Sequence, residues 1–192
     1  MTKDSHRGKV ILGTTMSLDG FINDPSGSVE ALYSDLADWR ETELGKESIQ
    51  NTGAVVMGRN SYAMAEDPDW YAENYEYQVP IFVLTHHLPK KEPKETDTLT
   101  FTFVTDGLES AVRQAKDSAG DKDVNIIGAA NTAGQCLNMG LADELHVDII
   151  PVFLGGGLRL FEHMDAERIQ LERIKVVELP GGRTHLRFRF VR

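Results

Sequence analysis

The chain has 192 residues, of which 30 are acidic and 20 are Lys or Arg, for a formal charge of −10 at neutral pH. An acidic surface repels nucleic-acid backbone and anionic membrane, and no Lys/Arg-rich stripe offsets it, so neither is expected as a partner. Hydrophobic residues make up 41% of the chain, and no apolar run reaches the ~20 residues that span a bilayer. A chain of this length suits one domain, able to bury roughly 70% of the surface its unfolded form exposes. The lone Cys136 can form no internal disulfide, which points to a reducing, cytoplasmic setting with the thiol packed in a helix; no metal site is expected. Residues 1–8 are polar and lack the apolar stretch of a signal peptide, so a flexible tail is expected before a domain over residues 9–192.

The predicted elements alternate between buried β-branched runs and helical patterns. Residues 9–16 (KVILGTTM) read as a first strand, with Asp19-Gly20 turning after it. Residues 29–48 read as one helix, with Leu32, Leu36, Trp39 and Leu44 roughly on one side. Short apolar strands follow at 54–57, 81–84 and 100–104. Asp106 with Glu109 three positions on gives a capping-box-like start to a helix whose buried face is Leu108, Ala111, Val112, Ala115 and Ala119, and Gly120 stops it. A strand at 124–127, a helix at 132–139 ending at Gly140, and a strand at 144–150 continue the series. The runs at 174–179 and 185–191 flank Pro180-Gly181-Gly182 as a hairpin. Residues 66–78 and 90–94 read as surface loops. Strand and helix in succession imply right-handed crossovers. The expected fold is therefore a single α/β domain: a mostly parallel central sheet, helices on both faces, and a C-terminal antiparallel hairpin.

Ligands of such sheets bind beyond the carboxyl ends of the strands, where helix N-termini point outward. Four segments fall there. In the first, a strand ends at Gly58, which lets a phosphate approach the main chain; Arg59 offers a fork of donors, and Asn60 and Ser61 can cap a short helix. A turn with a solvated Arg reads equally well. In the second, a buried strand runs into Gly128, Ala129, Ala130, Asn131 and Thr132, whose amides can form an anion-binding concavity or serve plain strand–helix packing. In the third, Thr85 and His86 leave a strand end, either flanking a nucleotide or opening a polar loop. In the fourth, Gly155-Gly156-Gly157 demand unusual backbone angles, for a ligand or for a tight turn.

Taken in order, these segments resemble the dihydrofolate reductase-like superfamily, and within it the branch named for the reductase (RibD C-terminal) domain of riboflavin biosynthesis. The residues that carry the resemblance are Ser17-Leu18-Asp19-Gly20-Phe21-Ile22, Val56-Met57-Gly58-Arg59-Asn60-Ser61-Tyr62 and Ile127-Gly128-Ala129-Ala130. Gly140-Leu141-Ala142-Asp143-Glu144-Leu145 and the stretch from Ile150-Pro151 through Gly155-Gly156-Gly157 to Leu160-Phe161 complete the set. The resemblance implies that Gly58, Arg59, Asn60 and Ser61 grip the adenosine phosphates of NADPH, with Arg59 on the 2′-phosphate. It places Thr85 and His86 beside the adenine ribose, Gly128 through Thr132 on the pyrophosphate, and Met16, Ser17 and Asp19 beside the nicotinamide. Where dihydrofolate reductases carry a Gly-Gly peptide, often cis, this chain has Gly128-Ala129. Residues 24–28 also lack the Trp those enzymes have before the substrate helix, so folate is not the expected substrate. With one cysteine, a zinc deaminase half is not expected either.

The implied function is NADPH-dependent reduction of a small pyrimidine- or pteridine-type heterocycle, similar to 5-amino-6-(5-phosphoribosylamino)uracil reductase. The alternative is a non-catalytic NADP-binding module of the same fold. Three acids are candidates for contacting the substrate: Asp19 after the first strand, Asp35 in the helix that lines the substrate side in the family, and Asp148 inside an apolar strand. Each has a structural reading as well, as turn residue, solvated helix carboxylate and salt-bridge partner. A homodimer packed through Phe188 and Phe190 of the C-terminal hairpin is also expected.

Overall fold

The computed structural model describes residues 8–162 and 164–191. Every run expected as a strand becomes one: β1 (Val10–Ser17), β2 (Thr52–Gly58), β3 (Ile81–Leu84), β4 (Phe101–Val104), β5 (Asp123–Ile127), β6 (Glu144–Ile150), β7 (Leu171–Glu178) and β8 (Thr184–Phe190). They form one sheet in the order β4-β3-β2-β5-β1-β6-β8-β7. The first six run parallel, and β8 and β7 close the edge antiparallel, as the hairpin pattern predicts.

Because side chains alternate along a strand, β2 to β5 each feed two cores. Val10, Leu12, Ala54, Val56, Val124 and Ile126 pack on one face against α6 (Leu108–Ala119) and α7 (Ala130–Met139). Cys136 lies in that core, and burial pushes its thiol up to about 12. Val55, Met57, Ile81 and Val83 point to the other face, under Tyr62, Tyr71 and Tyr77. Each such aliphatic side chain, fully buried, contributes about 1.5–3 kcal/mol. Among the described residues, no helix is long and apolar enough to cross a membrane.

Three local expectations are corrected. The helix read over 29–48 is three: α1 (Glu30–Tyr33), α2 (Leu36–Glu41) and α3 (Glu43–Asn51). It breaks at Asp35, whose carboxylate is drawn to Arg183, and again at Thr42, which is extended and caps α3 by accepting from the Gly45 amide at 3.0 Å. Asp106 does not cap α6; Gly107, at φ 107°, takes that position with no side-chain bond. The segment 66–78 is more than a surface loop. It contains α5 (Trp70–Asn74) and buries Tyr71 and Tyr77 in the second core.

The short helix α4 (Arg59–Tyr62) follows β2 directly. Residues 1–7, most of the expected tail, lie outside the described residues. Phe188 and Phe190 are half-buried and pack against the α6–α7 core.

Candidate active site

The parallel register sets the strand ends side by side. Met57 pairs with Ile127 and Gly58 with Leu84, so the residues leaving β2, β3 and β5 emerge as neighbours. Gly58 and residues 128–132 therefore share one edge of the sheet, with Thr85 and His86 on its other flank. The glycines let α7 come close. A Cβ on Gly58 would sit 2.6 Å from the Thr132 hydroxyl, and one on Gly128 2.5 Å from the Thr132 Cβ. Thr132 is thus wedged between two strand ends with its side chain buried, and any larger residue at either glycine would push α7 away.

This brings the start of α7 over the β2–β5 junction. Its N-cap is Ala129, which has no side chain to satisfy the first amides, so the N–H groups of Ala130, Asn131 and Thr132 stay available to an anion. The Gly128–Ala129 peptide is trans, like every other described peptide bond. Beside it, Arg59 opens α4 exposed, and among the described residues its guanidinium has no carboxylate partner. Asn60 and Ser61 lie within α4 and cap nothing; the N-cap is Gly58. Thr85 is buried, its hydroxyl donating to the His87 carbonyl at 2.8 Å, while His86 is exposed. The pairing of a free fork with uncapped amides suits a phosphate-bearing dinucleotide.

The end of β1 is wound more tightly. Met16 packs toward the α6–α7 core. Ser17 is fully buried; its hydroxyl donates to Asp19 at 2.6 Å and accepts from the Phe21 amide at 3.0 Å. Asp19 also accepts from the amides of Leu154 and Gly155 at 3.2 and 2.8 Å, tying the Gly155-Gly156-Gly157 loop to the β1 exit. The Ser17 hydroxyl, joined by the Gly155 and Leu154 amides and opposed by desolvation, holds the Asp19 carboxyl at about 2. It is a carboxylate at neutral pH and fastens two loops.

Asp35 and Asp148 are brought together, though they are 113 positions apart in the chain. Arg183, from the turn between β7 and β8, donates to Asp35 from Nε at 2.9 Å and again from Nη2, and to Asp148 from Nη1 at 2.8 Å. The hydrogen bond from Arg183 holds the Asp35 carboxyl below the usual range. His185 Nδ1 lies 2.6 Å from the other Asp148 oxygen. Tyr33 stands nearby, its phenol against the Thr15 hydroxyl. The carboxylates of all three acids are therefore already engaged by hydrogen bonds within the chain. Arg183 and His185 are absent from the sequence reading because each looks like a turn or strand residue until the hairpin folds back on β6.

A polar cavity of about 100 Å³ opens elsewhere, between the starts of β1, β5 and β6 and helix α3, lined by Lys9, Asp123, Asn125, Glu144, His146 and Arg187 among others. It lies at the opposite end of the strands from the nucleotide-suited edge. Among the described residues no group of three or more His, Cys, Asp or Glu could hold a metal ion.

The sheet order and the site define a dihydrofolate reductase-like α/β domain with a candidate dinucleotide edge. The model of the family described as the RibD C-terminal domain matches residues 8–183, and the chain belongs to that family. It is 27% identical over 196 residues to the uncharacterized protein YyaP of Bacillus subtilis, with 95% of each chain covered. Two solved structures share the fold. A putative riboflavin biosynthesis protein of Shewanella sp. PV-4 has TM-score 0.76 at 24% identity, covering 96% of this chain and 99% of that one. A dihydrofolate reductase of Enterococcus faecalis, complexed with NADP(H), has TM-score 0.63 at 14% identity, covering 96% and 97%.

Proposed function

We propose that this chain is an NADPH-dependent reductase of a small pyrimidine- or pteridine-type heterocycle. The observation that carries the reading is the convergence of Arg59, the Gly58 and Gly128 strand ends and the uncapped start of α7 on one edge of the sheet. That edge fits the group, because it combines a free guanidinium with main-chain amides in a molecule that is otherwise negative. Arg59 would hold the 2′-phosphate, residues 128–132 the diphosphate, and Thr85 and His86 the adenine ribose. Met16, Ser17 and Asp19 would border the nicotinamide. The Enterococcus faecalis dihydrofolate reductase, whose structure holds NADP(H), lends support from the fold.

When bound, the nicotinamide supplies a hydride. The chain's own part is to orient the substrate against it and exclude water. With Asp19, Asp35 and Asp148 all engaged, the proton that balances reduction comes from solvent. The test is NADPH binding, followed by loss of reduced-nicotinamide absorbance with 5-amino-6-(5-phosphoribosylamino)uracil, a pterin and folate in turn. Turnover with the first two and not with folate is expected. No binding of NADPH would end the reading.

A second reading, a non-catalytic NADP-binding module, is favoured by the same engagement of the three acids. Thermal stabilisation by NADPH with no turnover on any of these substrates would select it.

A further inference from the structure

Under the proposed reading, the family resemblance puts the α1–α2 segment that carries Asp35 on the substrate side, and both helices are short and poorly packed. α1 has four residues and α2 has six, lengths that are not stable in isolation. α1 buries only Leu32, and α2 buries no residue at all. Apolar packing alone cannot fix such a wall at one position.

Arg183 supplies what packing lacks. Its side chain is 3% exposed. Besides its bonds to Asp35 and Asp148, Nη2 donates to the Leu32 carbonyl at 3.2 Å. One planar fork thus grips the end of α1, the junction before α2, and a carboxylate on β6. Lysine, with a single point of charge, cannot reach all three.

The fork is itself aimed from behind. Arg187 donates from Nε to His185 Nε2 at 3.1 Å and from Nη1 to Glu47 of α3 at 3.0 Å. A guanidinium only donates, so Nε2 accepts, and Nδ1 carries the imidazole proton toward Asp148. His185 is thereby held in one neutral tautomer, and the two Asp148 oxygens are divided between His185 and Arg183. The bonds run without a gap from Glu47 to Asp35. Buried ion pairs are weak sources of stability, since apolar replacements often serve as well. What this chain of bonds adds is direction.

We propose that Arg183 is a positioning residue of the reductase site, seating the α1–α2 wall, and with it Tyr33, against the second half of β1. His185 and Arg187 set the orientation of its guanidinium. The role rests on the reductase reading; the clamp itself does not.

Hydrogen exchange on the full chain, wild type against Arg183→Lys, tests it alongside NADPH titration. Amides of residues 32–42 should exchange roughly tenfold faster in the variant, while β5 and β6 keep their protection. The NADPH dissociation constant should stay within about twofold. With 5-amino-6-(5-phosphoribosylamino)uracil, KM for that substrate should rise while KM for NADPH holds. Unchanged exchange at residues 32–42, or acceleration spread equally over β5 and β6, overturns the clamp. A kcat loss with both KM values unmoved overturns the positioning role. If the lysine variant does not fold, Asp35→Asn carries the same measurements and the same overturning results, because it weakens one arm and leaves Asp148–Arg183 in place. A wild-type chain that binds no NADPH removes the reductase reading, and the exchange result then decides the clamp by itself.

Discussion

Arg59 is the residue on which the nucleotide reading can be tested most cheaply. It is exposed and unpaired among the described residues, so its loss should cost no fold stability. Hydrogen bonds to charged groups are worth about 1.5–3 kcal/mol, so Arg59→Ala should weaken NADPH binding roughly ten- to a hundredfold. NADH, without the 2′-phosphate, should bind both proteins alike. Calorimetric titration of both cofactors checks this, and equal losses for the two would remove Arg59 from the 2′-phosphate. His146 makes a different prediction. Burial lowers its titration below the ordinary value of 6.5, with Glu144 pulling the other way. The unfolded chain thus takes up this proton more readily than the folded one. The His146 contribution is whole above 6.5 and declines as pH falls below it. Melting temperature should drop between about pH 7 and pH 5, and His146→Gln should flatten that slope.

At the level of elements, the strands were the legible part of the sequence. Strands buried on both faces are continuous β-branched runs; those at 81–84 and 144–150 match expectation, and the other ends fall within three residues of it. The breaks within residues 29–51 were harder to read. Thr42 carried a local signal, a capping hydroxyl in mid-helix. Asp35 carried none, because the force that ends α1 comes from Arg183, 148 positions away. The same distance hid the Arg183–Asp148–His185 cluster: no window of sequence contains both halves of it. The candidate dinucleotide residues were readable because each sits just after a strand, where the fold rule says to look. Their convergence depended on β2 and β5 being neighbours. That neighbourhood has a mechanical test. Gly58→Ala drives a methyl into the Thr132 hydroxyl and should cost about 1–3 kcal/mol. Thr132→Ala removes the offending oxygen, so the double variant should regain most of that loss. Denaturant titration of the four proteins decides it; simple additivity would mean that the two positions do not touch.

For the whole molecule, the formal charge of −10 opposes any polyanionic ligand until it reaches the edge where Arg59 and the α7 amides sit. Long-range repulsion is screened over ~10 Å at 0.1 M salt, while contacts at bonding distance are screened far less. The NADPH association rate should therefore rise as salt is raised to about 0.1 M, the reverse of basic phosphate-binding proteins. Stopped-flow fluorescence measures it, and a falling rate would show that the local positive field already outweighs the rest of the surface.

The sheet's last strand has a consequence of its own. β7 is solvent-facing along nearly its whole length, with Leu171, Ile174 and Val176 all open to water. Among the described residues, its outer row of backbone donors and acceptors has no neighbouring strand, the kind of ledge onto which stray extended chains can zip. Glu172, Arg173, Lys175 and Glu178 interrupt its apolar residues, and the register slips between Arg173 and Lys175. Ionic bristles on a crooked rail make poor scaffolding for fibrils, so this border keeps crowded copies from growing into one another.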